Sequence, residues 1–158
     1  MKTLLKLIIS SALGVLAGFI SLVFFAIFAF LDSPVNIFIL SLSVVIEEFT
    51  KLLFLFFLIN LFFLSKNKIA LLSFISAIFF GLSFSLFEFG LLVFNNEMVM
   101  DYRFLYSTLI HTVSSLLIVL AIGRYVKVKK LSTASFIFFT LALFIHLCYN
   151  LIVLKSIS

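Results

Sequence analysis

The sequence predicts an all-α fold, a polytopic transmembrane helix bundle of about five spans. It forms a single transmembrane domain over residues 1–158, with the N-terminus in the cytoplasm. Three observations predict it. Of the 158 residues, 65% are hydrophobic and only 11% charged, whereas a soluble domain needs roughly a quarter charged to cover its surface. Mean hydropathy is +1.42. The apolar residues fall into runs of about 20 or more, separated by short polar breaks, and each run can cross a hydrocarbon core of about 30 Å. The same composition excludes a soluble globule, a disordered tail and a disulfide scaffold; the single Cys148 has no internal partner. The pattern disfavours a β-barrel, whose strands alternate apolar and polar residues over about ten positions.

The first run, 7–31, follows Lys2 and Lys6. It is too long for the apolar region of a signal peptide and lacks a small-x-small cleavage site, so it is expected to remain as a span. Its Ser10, Gly14 and Gly18, spaced by four, form a small-residue face suited to helix packing. The second run, 35–64, begins after Asp32, Ser33 and Pro34 and contains Glu47, Glu48 and Lys51. The third, 69–94, follows Lys66 and Lys68 and contains Glu88. The fourth, 104–123, follows the break 95–103 and carries a stripe of Ser107, His111, Ser114 and Ser115, whose serines read as packing residues. The fifth, 131–154, follows the basic stretch 124–130 and carries His146 and Asn150 one turn apart on one face.

The net charge of +5 is a matter of topology and implies no nucleic-acid partner. Five spans put Lys2, Lys6, Lys66, Lys68, Arg124, Lys127, Lys129 and Lys130 on one side. The other side holds Asp32, Glu97, Asp101 and Arg103, with Lys155 after the last span. Basic residues mark the cytoplasmic side, which sets the orientation.

Six ionisable groups remain inside the membrane: Glu47, Glu48, Lys51, Glu88, His111 and His146. Charges at such depth cost several kcal/mol and default to a functional role. By helix rise, Glu47 lies about 18 Å below the external end of its span, Glu88 about 9 Å, His111 about 10 Å and His146 about 12 Å. All four can therefore meet in one cavity opened from the external side. Lys51 follows Glu47 by four residues and Glu48 by three, one turn below both, and supplies a counter-ion to this carboxylate pair.

Several proteolytic chemistries are excluded. No His-Glu-x-x-His occurs, because Thr112 follows His111 and Leu147 follows His146. Asp32 and Asp101 lie in loops, so no intramembrane aspartate pair exists. Gly81-Leu82-Ser83-Phe84-Ser85 does not complete a Gly-x-Ser-x-Gly elbow. A Ser–Lys dyad on Lys51 stays open, with no serine specified. What remains is a carboxylate-and-histidine site in which a Glu takes a proton from water and His or Asn side chains stabilise an oxyanion. Two His, a carboxylate and a water also make a catalytic zinc inventory.

The order Glu47-Glu48-Phe49-Thr50-Lys51, then Phe84-Ser85-Leu86-Phe87-Glu88, then His111, then His146 and Asn150, resembles the PrsW family of intramembrane proteases. That family is similar to the CAAX-prenyl-protease-like group. The resemblance spans about residues 44–150. It implies a hydrolase that cuts a membrane-anchored protein substrate, with Glu47, Glu48, Glu88, His111, His146 and Asn150 as catalytic residues and Lys51 in support. The substrate class in PrsW-type proteases includes anti-sigma factors. The expected location is the plasma membrane of a prokaryote. The cofactor stays open between a metalloprotease, with zinc on Glu88, His111 and His146, and a metal-free glutamate mechanism. Within the pair, the contact with Lys51 favours Glu48 as general base, leaving Glu47 to orient its neighbours. Asn150 is expected as an oxyanion donor beside His146. The alternatives are a proton- or ion-coupled carrier, since intramembrane Glu, Lys and His also build proton relays, and a non-catalytic scaffold of the same fold. No inverted repeat or proline-broken span favours the carrier.

Overall fold

The computed structural model describes residues 3–31, 37–62, 69–94, 103–128, 130 and 132–157. These form five helices: α1 (Thr3–Leu31), α2 (Ile37–Phe62), α3 (Ile69–Phe94), α4 (Arg103–Val128) and α5 (Thr133–Ile157), with no strand among the described residues. The breaks that carry Asp32, Pro34, Lys66, Lys68, Glu97 and Asp101 lie outside the described residues, as does Lys2. The third span has the expected bounds. The fourth does not end at Gly123, because α4 continues through Arg124 and Lys127 to Val128. Nothing in Tyr125-Val126 breaks a helix. The fifth starts two residues late because Ser132 caps it: its Oγ accepts from the Ser135 amide at 3.1 Å.

Among the described residues, four helices contain a segment long and apolar enough to cross a membrane: Thr3–Phe24, Leu71–Gly90, Phe104–Val126 and Thr133–Val153. The chain is an integral membrane protein. Composition alone does not mark α2 as a span, because Glu47, Glu48 and Lys51 sit at its middle. Its packing accounts for them. Glu48 and Lys51 turn into the bundle and are fully buried, while Val45, Phe49, Leu53 and Phe57 form an exposed apolar stripe on the opposite side.

The helices close a ring in the order α1, α3, α4, α5, α2, with α2 also touching α4 across it. Close backbone approach holds the α1–α3 and α3–α4 seams. A Cβ built on Gly14 would collide with the Phe80 carbonyl of α3. One built on Gly81 would lie 2.7 Å from Thr112 Cα and 2.8 Å from His111 O of α4. Small residues permit such contacts in membranes, where lipid tails offer no hydrophobic drive for helices to associate.

The ring interior divides into two levels. Leu55, Leu58, Ile59, Ala77, Phe80, Ile118 and Ile122 pack into an apolar plug. They come from the second half of α2, the first half of α3 and the second half of α4, which lie at the same end of the bundle. The polar residues occupy the other level, beside the first half of α2, the second half of α3 and the first half of α4.

Candidate active site

Lys51 is the hub. Its position one turn before Leu55 puts the ammonium at the top of the plug, fully buried. It donates to Glu48 Oε1 at 2.6 Å, to His111 Nδ1 at 2.9 Å and to Ser114 Oγ at 3.0 Å. The Phe84 ring lies 4.7 Å away, centroid to Nζ, completing the shell with a cation–π contact. Three donors thus meet three acceptors and one aromatic face, which is how a buried ammonium is made tolerable.

Glu48 is equally buried. Its Oε1 accepts from Lys51 and, on the other side, from His146 Nδ1 at 2.6 Å. These two bonds set the tautomers. An ammonium has no lone pair, so His111 Nδ1 accepts and the ring proton sits on Nε2, which donates to Glu88 Oε2 at 2.7 Å. A carboxylate accepts, so His146 carries its proton on Nδ1 and turns a lone pair on Nε2 toward Glu47 Oε2, 3.5 Å away. That gap is longer than a hydrogen bond. The two imidazoles meet edge to face with centroids 4.9 Å apart.

The result is one continuous chain of polar groups from four helices: Glu88, His111, Lys51, Glu48, His146 and Glu47. All six intramembrane ionisable groups singled out in the sequence belong to it. Its two ends are the less buried ones, with the Glu47 side chain 16% exposed and that of Glu88 34% exposed. Both line a cavity of about 230 Å³ between α1, α2 and α3, together with Ser21 and Ser43.

Within the Glu47–Glu48 pair the geometry separates the two carboxylates. The i,i+3 contact between Glu48 and Lys51 is present, but it draws Glu48 into the sealed interior, where it orients Lys51 and His146. Glu47, about 100° further round the helix, is the carboxylate that reaches the cavity. Asn150 follows His146 by one turn on α5 and is half-buried, yet it makes no hydrogen bond to any of the six.

The zinc reading also changes. The ligand atoms of Glu47, His111 and His146, rather than Glu88, lie within 4.8 Å of one another. His111, however, has both ring nitrogens engaged, by Lys51 and by Glu88. The Lys51 ammonium already stands against the set as its cation. As arranged, these residues do not fit a metal.

Two further members carry no role in the sequence reading. Ser114, taken for packing, accepts from Lys51 and donates to the His111 carbonyl at 3.2 Å. Phe84 covers both Lys51 and the His111 ring, whose centroid is 4.8 Å from its own. Phe84 is the first residue of the Phe-x-x-x-Glu motif, and its spacing one turn before Glu88 was the available signal. Comparison with family models, with curated proteins and with solved structures gives no match.

Proposed function

We propose that the chain is an intramembrane endopeptidase that hydrolyses a peptide bond of a membrane-anchored protein substrate, with Glu47 as general base. One observation carries this reading: both ends of the six-membered polar chain line the same cavity. A proton wire across a membrane needs ends on opposite faces. Here Leu55, Leu58, Phe80 and Ile118 close the bundle behind Lys51, so the chain serves one compartment, as hydrolysis requires. The ordered resemblance to PrsW-type proteases rests on the same residues.

The residues divide the work as follows. Glu47 Oε2 and His146 Nε2 are two acceptors 3.5 Å apart; Glu47 Oε2 is buried without a hydrogen-bond partner among the described residues, and a water admitted from the cavity would donate one O–H to each. Glu47 takes the proton as the water oxygen adds to the substrate carbonyl carbon. The new oxyanion develops beside the His111 Nε2–H and shares that proton with Glu88 Oε2, its partner at 2.7 Å. The carbonyl re-forms, the C–N bond breaks, and the proton on Glu47 passes to the leaving amine. Glu48 and Lys51 do not touch the substrate; they hold the two imidazoles in complementary tautomers. No step uses a metal.

On this reading the basic segments of the sequence favour a cytoplasmic N-terminus and an externally facing cavity, and the resemblance to PrsW-type proteases favours the plasma membrane of a prokaryote. In a Cys148→Ala background, a Cys at Asn67 should react only with membrane-permeant thiol reagents. For the chemistry, purified protein should cleave membrane-anchored peptides. Glu47→Gln should lower the rate about 10²–10⁴-fold, the usual loss for a positioned base, with thermal unfolding unchanged. Full activity in Glu47→Gln would end the assignment.

A further inference from the structure

The cavity has a wall that none of the motif residues supplies. Gly18, Ser21 and Leu22 of α1 face Leu40, Ser43 and Glu47 of α2 and the second half of α3. Serines elsewhere in these helices bond back to a carbonyl one turn earlier: Ser10 to Lys6 at 2.7 Å, Ser41 to Ile37 at 2.7 Å. Ser21 does not. It is 5% exposed, and its hydroxyl has no hydrogen-bond partner among the described residues. Three other hydroxyls share that condition, on Ser76, Thr112 and Ser115, but only Ser21 lines the cavity. An unpartnered buried hydroxyl costs stability, and this one lies beside the reacting groups.

The polar lining is also one-sided. Glu47 and Glu88 offer oxygens as acceptors, and the Ser43 hydroxyl has spent its proton on the Leu40 carbonyl at 2.8 Å. Ser21 is therefore the free donor of the wall. A guest must bring one carbonyl for Ser21 and N–H groups for the acceptors, which describes an extended peptide. Two carboxylates repel an acidic side chain, and Leu22, Leu40 and Phe87 favour an apolar one. At about 230 Å³ the space is smaller than the roughly 300–1,000 Å³ of sites for drug-sized ligands, so it suits a short segment.

We propose that this cavity is a substrate subsite for an extended peptide segment bearing a non-acidic side chain, and that Ser21 of α1 holds the peptide's carbonyl there. The inference rests on the protease reading, and its test separates the two. The probes are internally quenched peptides whose central residue is Ala, Leu, Phe, Lys or Asp, presented in detergent micelles. For binding without turnover, a fluorescein-labelled Leu peptide is titrated onto Glu47→Gln by fluorescence polarisation. Adding Ser21→Ala should weaken Kd roughly three- to tenfold, the worth of one hydrogen bond, while the unfolding temperature stays the same or rises. Ser21→Thr, which keeps the hydroxyl, should restore binding, and the Asp peptide, which still meets the Glu88 carboxylate in this background, should compete worst against the labelled peptide. In the otherwise wild-type chain, Ser21→Ala should raise KM by the same factor. An unchanged Kd in Ser21→Ala, or tight binding of the Asp peptide, overturns the subsite whatever cleavage does. Binding that depends on Ser21 in a protein that cuts no peptide supports the subsite and removes the protease reading.

Discussion

Glu47 and Glu48 are the same chemical group one residue apart, and the fold gives them opposite surroundings. Glu48 has no exposed surface, and a single oxygen serves both an ammonium and an imidazole. Glu47 lines the cavity, 3.5 Å from an imidazole lone pair. The difference is a rotation of about 100° around α2. It teaches that here the carboxylate nearest the buried cation is locked into the interior, while its neighbour is left at the cavity wall.

The sharpest way to break this comparison is to remove the cation. Lys51→Met leaves Glu48 buried and unpaired, and breaking a buried pair from one side costs about 3–5 kcal/mol. Thermal unfolding in detergent should show a collapse in stability. Adding Glu48→Gln should recover much of it without recovering cleavage, because His146 and His111 lose their orienting partners. If Lys51→Met unfolds like the wild type, Glu48 is not held as described.

A smaller effect is expected at the α3–α4 seam. Gly81→Ala pushes a methyl against the His111 carbonyl and the Thr112 backbone, at 2.8 and 2.7 Å. Overpacking of this kind costs about 1–3 kcal/mol, and here it moves the backbone that carries His111. Activity should fall more than stability does; equal activity would mean that α4 can shift without disturbing the site. The smallest effect is expected at Asn150. Having no hydrogen bond to the cluster, Asn150→Ala should leave the cleavage rate within about threefold, whereas loss of an oxyanion donor costs about 10²–10³.

The helical bundle was legible in the sequence because apolar runs of this length have few other solutions. The convergence of Glu47, Glu48, Lys51, Glu88, His111 and His146 was legible because charges so costly in lipid must find each other. The rotation of α2 was not. It depends on how α2 seats against α1, α4 and α5 at once, and the i,i+3 pairing with Lys51 is equally compatible with Glu48 reacting or being sealed away. Ser114 escaped for a related reason: a serine in a polar stripe has no signature until the ammonium it touches has been placed, and Phe84, one phenylalanine among 24, had only its spacing before Glu88 to mark it. Ser21 escaped because what distinguishes it is a missing bond, which only coordinates reveal.

The helix that supplies His146 has the least buried of the four apolar spans found among the described residues. Only 11% of its apolar window is buried, against 44% for that of α3, and its main neighbours are α4 and α2. It is also the last of the five helices to leave the ribosome. Until it docks, Glu48 has Lys51 but no imidazole, and Glu47 has no partner with which to share a water. On the proposed mechanism, the four helices made first enter the bilayer as an inert precursor. The arrival of α5 arms it, so a half-made chain cannot cut its neighbours during insertion.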